Sequence, residues 1–156
     1  VNAVSTMDWH EVARSIEASR KLLEALWKMD EAAVAKGVEQ AHKEISVLQY
    51  NNENALSYTV SLALYAARNF YQVYREFPSG SGFADIVYLP RKEFPDKPAL
   101  IVELKWNKSA EGAIHQILKK QYFQNLEDYS GNMLLVGINY DLKTRKHECK
   151  ILEFKK

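Results

Sequence analysis

The sequence predicts an α/β domain: a mixed central β-sheet flanked by helices, with a helical segment at the N-terminus. Apolar residues recur at helical spacing as far as Ala66 and then switch to strand-like runs from Phe70 onward. Pro78-Ser79-Gly80-Ser81-Gly82, the strongest turn signal in the chain, joins two of those runs. One further helical run, beginning near Ser109, interrupts the strands and gives the order α-α-α-β-β-β-α-β-β.

The first helix is expected from Asp8, whose spacing to Glu11 is that of a capping box; Met7 and Val12 would form the hydrophobic staple. Trp9, Val12, Ala13, Ile16, Leu23, Leu26 and Trp27 then form its apolar face, to about Lys28. Asp30 can cap a second helix with Ala33, Val34, Val38, Ala41 and Ile45 inward. Asn51 or Asn52 can cap a third, rich in Ala and Leu, through Ala66. Phe70–Phe77 is aromatic and β-branched in flavour, and the Pro-Ser-Gly turn leads it into a strand over Phe83–Leu89. A polar loop with three prolines, Pro90 to Pro98, precedes a strand over Ala99–Trp106. Ser109 caps a helix to about Tyr129, with Ile114, Ile117, Leu118 and Tyr122 on one side, and strands follow over Met133–Tyr140 and His147–Phe154. Residues 1–50 read as a helical extension and 51–156 as the core of a single domain.

Composition sets the outer bounds. A chain of 156 residues, 47% hydrophobic and 26% charged, can bury a core without disulfides or structural metal. The single Cys149 excludes an internal disulfide and points to a reducing, cytoplasmic compartment; its alternating context makes it a small core residue rather than a nucleophile. No apolar run approaches the ~20 residues of a membrane span, no signal peptide leads the chain, and no membrane partner is expected. The chain begins with Val rather than Met, as a trimmed chain or the C-terminal part of a longer protein would. Residues 1–78 carry 8 basic against 10 acidic side chains, and residues 79–156 carry 13 against 10. That asymmetry fits a solvated surface at least as well as a nucleic-acid face.

Two of the strand-like runs carry charges where a buried strand normally has none. Asp85 interrupts Gly82–Val87, and Glu103 and Lys105 interrupt Leu100–Lys105. Buried charges are costly unless paired or bound to a metal. Side chains alternate along a strand, so Glu103 and Lys105 share a face, while Leu104 between them anchors in the core and offers its carbonyl as a ligand. Asp85, 18 residues before Glu103, lies on the preceding strand and can come beside it. Two carboxylates, a carbonyl and waters suit Mg²⁺ or Mn²⁺ and activation of water against a phosphodiester. An ordinary cross-strand ion pair accounts for the same spacing equally well.

Gly82-Phe83-Ala84-Asp85, a loop, and Ile101-Val102-Glu103-Leu104-Lys105 resemble the PD-(D/E)xK nuclease superfamily, with Ala84 in place of its variable proline. More narrowly they resemble the nuclease-like domain found C-terminal to bacterial ATPase-like domains. Ser109–Ile117, with its Ala-x-x-Gln-Ile core, and Lys119-Lys120-Gln121-Tyr122 are similar to the helix that follows in that family, and Met133–Asn139 to its next strand. The resemblance implies a restriction-endonuclease-like fold and a Mg²⁺-dependent deoxyribonuclease. It implies Asp85 and Glu103 as metal ligands, Lys105 as the catalytic lysine, and Gln116 as a residue that holds the site or contacts the backbone. Tyr122, Lys108, Lys119 and Lys120 are candidates for substrate contact, with core packing the stronger role for Tyr122. Many members add an acid from an early helix, and Glu53 occupies that place, although acids are also favoured there by the helix dipole.

The partners so implied are nucleic acid, with DNA expected, and an ATPase-like domain upstream. The N-terminal helices offer either a homodimer surface or a link to that domain. No Gly-rich nucleotide loop occurs in the chain, so any ATPase lies outside it, and His10, His42, His115 and His147 lack zinc-ligand spacing. Trp9 and Trp27 read as packing residues. Trp106 is the better base-stacking candidate, with packing still its stronger role. The alternative function is a catalytically silent nucleic-acid- or protein-binding module of an ATPase-linked protein.

Overall fold

The computed structural model describes residues 2–44, 52–79, 82–120 and 131–155, with backbone alone for 2–8, 77–79 and 82–84. Helices α1 (Asn2–Trp27), α2 (Glu31–Glu44) and α3 (Glu53–Ala63) come first, followed by a 3-10 turn over Tyr65–Asn69. Strands β1 (Tyr71–Ser79), β2 (Gly82–Pro90) and β3 (Ala99–Trp106), helix α4 (Ala110–Lys120), and strands β4 (Asn132–Asp141) and β5 (Lys146–Lys155) complete the domain. The sheet runs β1-β2-β3-β4-β5. Among the described strands only β3 and β4 are parallel, and α4 lies in the crossover between them. This is the α/β architecture with a mixed sheet that the change of period predicts. Residues 121–130, where the sequence continues α4 and places Tyr122, lie outside the described residues.

Three of the expected caps form. Asp30 Oδ1 accepts the Ala33 N–H at 3.1 Å, Asn52 Oδ1 that of Ala55 at 3.0 Å, and Ser109 Oγ that of Gly112 at 2.9 Å. The capping box at Asp8 does not: α1 already begins at Asn2 and runs through it. No Gly or Pro stands between Asn2 and Asp8, and an established helix propagates cheaply through such a stretch.

The apolar face expected for α1 is buried only in its second half. Leu22, Leu23 and Leu26 are in the core, whereas Trp9, Val12 and Ile16 are 72%, 45% and 49% exposed. The packing role expected for Trp9 is therefore overturned. A helix of 26 residues is about 39 Å long, and its first turns run past the core that its last turns join. Trp27 does pack, and its indole N–H donates to the Tyr71 hydroxyl at 2.8 Å.

Apolar side chains cover both faces of β3. Leu100, Val102 and Leu104 join the larger cluster with α1, α2 and α3, while Ala99 and Ile101 join a smaller one with Ile114 and Ile117 of α4. Burial on both sides explains why β3 and β4 read as continuous apolar runs. Cys149 is buried in the larger cluster, and burial pushes its thiol pKa up, in keeping with a core role. Trp106 packs on the same side, its ring 4.8 Å from that of Tyr140.

Close packing at Gly137 and two hydrogen bonds from β5 fix the outer elements. A Cβ on Gly137 of β4 would lie 2.4 Å from the Ala110 carbonyl oxygen and 2.9 Å from the Ala113 Cβ, so its absence lets α4 lie close on the sheet. On the edge strand β5, the His147 N–H donates to Glu39 Oε1 at 2.8 Å and the Ile151 N–H to Glu31 Oε2 at 2.7 Å. Eight residues of helix and four of strand both span roughly 12–13 Å, which lets the two α2 carboxylates meet two outward amides. Among the described residues no helix is long and apolar enough to cross a membrane.

Candidate active site

Asp85 sits at a one-pair break in the β1–β2 ladder and just past the end of the β2–β3 ladder. The β1–β2 ladder pairs Arg75 with Ile86 and Phe77 with Ala84 but skips Glu76, the residue facing Asp85. Glu76 has φ 53°, in the left-handed region, a conformation that costs energy in a non-glycine residue. On the other side the β2–β3 ladder runs only from Ile86–Val102 to Tyr88–Leu100. One further step would place Asp85 opposite Glu103. In place of a ladder bond, Asp85 Oδ2 accepts the Leu104 N–H at 2.7 Å. Leu104 thus serves the site through its amide while its side chain anchors in the larger cluster.

Strand alternation acts as the sequence predicts. Glu103 and Lys105 lie on the α4 side of β3, and Leu104 on the other. Glu103 is buried, with 3% of its surface exposed. Its carboxylate faces the Lys120 ammonium of α4, Oε1 to Nζ 3.5 Å. The Lys105 ammonium donates to the Gln116 side-chain oxygen. Gln116 and Lys120 are four residues apart, one turn of α4, so a single helix stripe faces both charged residues of β3.

Asp85 is partly buried, and desolvation raises its carboxyl pKa above the ordinary carboxylate value. The Leu104 hydrogen bond opposes that rise, the nearby Glu53 charge adds to it, and Lys120 and Lys105 lower it again. Glu53 is exposed as the first residue of α3, and its field reaches Asp85. Among the described residues no group of three or more His, Cys, Asp or Glu could hold a metal ion. Two carboxylates are nevertheless a sufficient protein share for Mg²⁺, which keeps several waters and shares its coordination with a substrate phosphate. The pair Asp85–Glu103 fits that donor set; it does not fit an all-protein cage.

The β3–α4 link is held tightly. Asn107, at φ 55°, donates its N–H to the Tyr140 carbonyl at 2.8 Å, and its Oδ1 accepts the Leu142 N–H at 2.7 Å. The Lys108 N–H donates to Asn139 Oδ1 at 3.0 Å, and the Ala110 N–H to Glu148 Oε1 at 3.0 Å. The Lys108 and Lys119 side chains are exposed, and Tyr122 lies outside the described residues.

The sequence named Asp85, Glu103, Lys105 and Gln116; of these, Lys105 meets Gln116 and Asp85 meets the Leu104 amide. It did not anticipate Lys120 as the partner of Glu103, although the one-turn spacing from Gln116 carries that signal. It also missed Gly137, Asn139 and Glu148, whose roles depend on contacts between β3, α4, β4 and β5.

A family model described as the PD-(D/E)XK nuclease superfamily matches residues 51–150. No curated protein matches the chain. The match covers well over half of the 156 residues, and the chain belongs to that superfamily.

Proposed function

We infer that this member of the PD-(D/E)XK superfamily is a metal-dependent nuclease that hydrolyses phosphodiester bonds, in DNA. The observation that carries the reading is the break in the ladders at Asp85, with a buried Glu103 one extrapolated ladder step away and Lys105 on the same side. Asp85 and Glu103 would hold Mg²⁺ or Mn²⁺, with the Leu104 carbonyl as a further oxygen and Glu53 reaching in through water. When bound, the ion supplies Lewis-acid polarisation of the phosphate and lowers the pKa of water. Lys105, steadied by Gln116, orients the attacking water and offsets charge that develops on the phosphate. Exposed Lys108 and Lys119 contact the nucleic-acid backbone. An ATPase-like domain upstream and a cytoplasmic home belong to the same reading, which rests for them on the family resemblance and the lone cysteine.

The alternative is a catalytically silent nucleic-acid- or protein-binding module of the same fold. Plasmid DNA incubated in Mg²⁺ or Mn²⁺ decides between them. The parent is expected to nick or linearise it, and Asp85→Ala and Lys105→Ala, both folded, to leave it intact. Equal cutting by all three proteins would sink the nuclease reading at this site. Metal binding without cleavage of any nucleic acid would favour the silent module.

A further inference from the structure

Lys120 lies outside the Asp85, Glu103 and Lys105 set, yet the fold directs it at Glu103. It stands on the α4 stripe that also carries Gln116, and its Nζ lies 3.5 Å from Glu103 Oε1. The lysine side chain is 19% exposed and that of Glu103 4%, so the pair meets in a desolvated setting. Its charge also reaches Asp85. Lys105, the other ammonium nearby, is engaged by Gln116.

A carboxylate as buried as Glu103 needs a counter-charge, because an uncompensated buried charge is strongly destabilising. A divalent ion held by the same carboxylate would supply that charge itself. An ammonium beside the ion would meet it with like-charge repulsion unless the lysine swung away. Lysine suits such an exchange, being a point charge on a flexible four-carbon stem rather than a fixed fork. Gly137 lets α4 lie close enough to the sheet for the contact to form.

We propose that Lys120 is an internal counter-ion that competes with divalent metal for Glu103, and so sets the metal concentration at which the site loads. This rests on the reading of Asp85 and Glu103 as metal ligands. Lys120 is accordingly a positioning residue, not a catalytic one.

The test is Mn²⁺ binding by the whole chain, followed by electron paramagnetic resonance, with thermal unfolding of the metal-free protein as a second readout. Lys120→Met is expected to bind Mn²⁺ about tenfold more tightly than the parent, as loss of one partly desolvated charge contact implies. The same variant should melt at lower temperature without metal and gain more from adding it. Lys120→Arg, which keeps the charge, should bind close to the parent, and Lys120→Gln serves if the Met variant does not fold. Unchanged or weaker binding by Lys120→Met and Lys120→Gln overturns the counter-ion role and leaves the metal site standing. Binding that survives Glu103→Gln undiminished, or no binding by any of the proteins, overturns the site and the counter-ion together.

Discussion

The chain places acids in two settings, and they are satisfied in different ways. At the β5 edge, Glu31 and Glu39 accept backbone N–H groups of Ile151 and His147, and Glu148 accepts that of Ala110. Backbone amides are fixed by the strand and the helix to which they belong and do not move aside for a ligand. Beside β2, Glu103 faces a lysine ammonium on a flexible stem, and Asp85 Oδ2 accepts the Leu104 N–H. The first group closes hydrogen bonds that the fold would otherwise leave open. The second retains charge that an incoming cation can claim. Fixed dipoles hold the β5-edge acids, whereas a charge on a flexible stem faces Glu103.

Breaking the second region should abolish activity and spare the fold. Asp85→Ala and Lys105→Ala are each expected to slow cleavage by about 1,000-fold or more, the scale on which loss of transition-state electrostatics is felt. Circular dichroism should show both variants folded. Gly137→Ala joins the two regions, since the added methyl would meet the Ala110 carbonyl at 2.4 Å and lift α4 from the sheet. It should cost about 3 kcal/mol in a denaturant titration and weaken metal binding, because Gln116 and Lys120 travel with α4.

Breaking the first region should do the reverse. Glu31→Ala and Glu39→Ala each free a strand amide and should lower stability by about 2 kcal/mol, with Mn²⁺ affinity unchanged. A change in metal affinity there would dissolve the distinction between the two kinds of acid.

The two regions also separate by pH. Burial, the leading cause, lowers the His147 pKa to about 4 from 6.5, partly opposed by Glu39. The unfolded chain therefore takes up a proton first. Below pH 6.5 stability falls as pH drops toward 4, by about 3 kcal/mol at pH 4. His147→Phe should flatten that slope in urea titrations between pH 7 and 4. Asp85 has the opposite sign: its raised carboxyl pKa means stability is lost as pH climbs above the ordinary carboxylate value.

Much of this was legible in the sequence because strands impose a strict rule. Alternation put Glu103 and Lys105 on one side of β3, and the Pro-Ser-Gly turn and the proline loop bounded β2 and β3. Caps at Asp30, Asn52 and Ser109 were readable from local chemistry alone. The start of α1 was not, because a capping-box spacing inside a helix looks the same as one at its end. Nor was the exposure of Trp9, since periodicity reports an apolar face but not how far along the helix a partner extends. Gly137, Glu148 and the Lys120–Glu103 pair depend on how α4 lies across β3, β4 and β5. No local pattern encodes that crossing, although the four-residue step from Gln116 to Lys120 narrows it.

The central claim is that Asp85 and Glu103 hold one divalent ion between them, and a crystal soaked in Mn²⁺ tests it most directly. The account predicts an anomalous peak between the two carboxylates, with ligand oxygens at about 2.1 Å, and a stronger peak at limiting Mn²⁺ in Lys120→Met. A peak elsewhere, or none with the lysine removed, would contradict it.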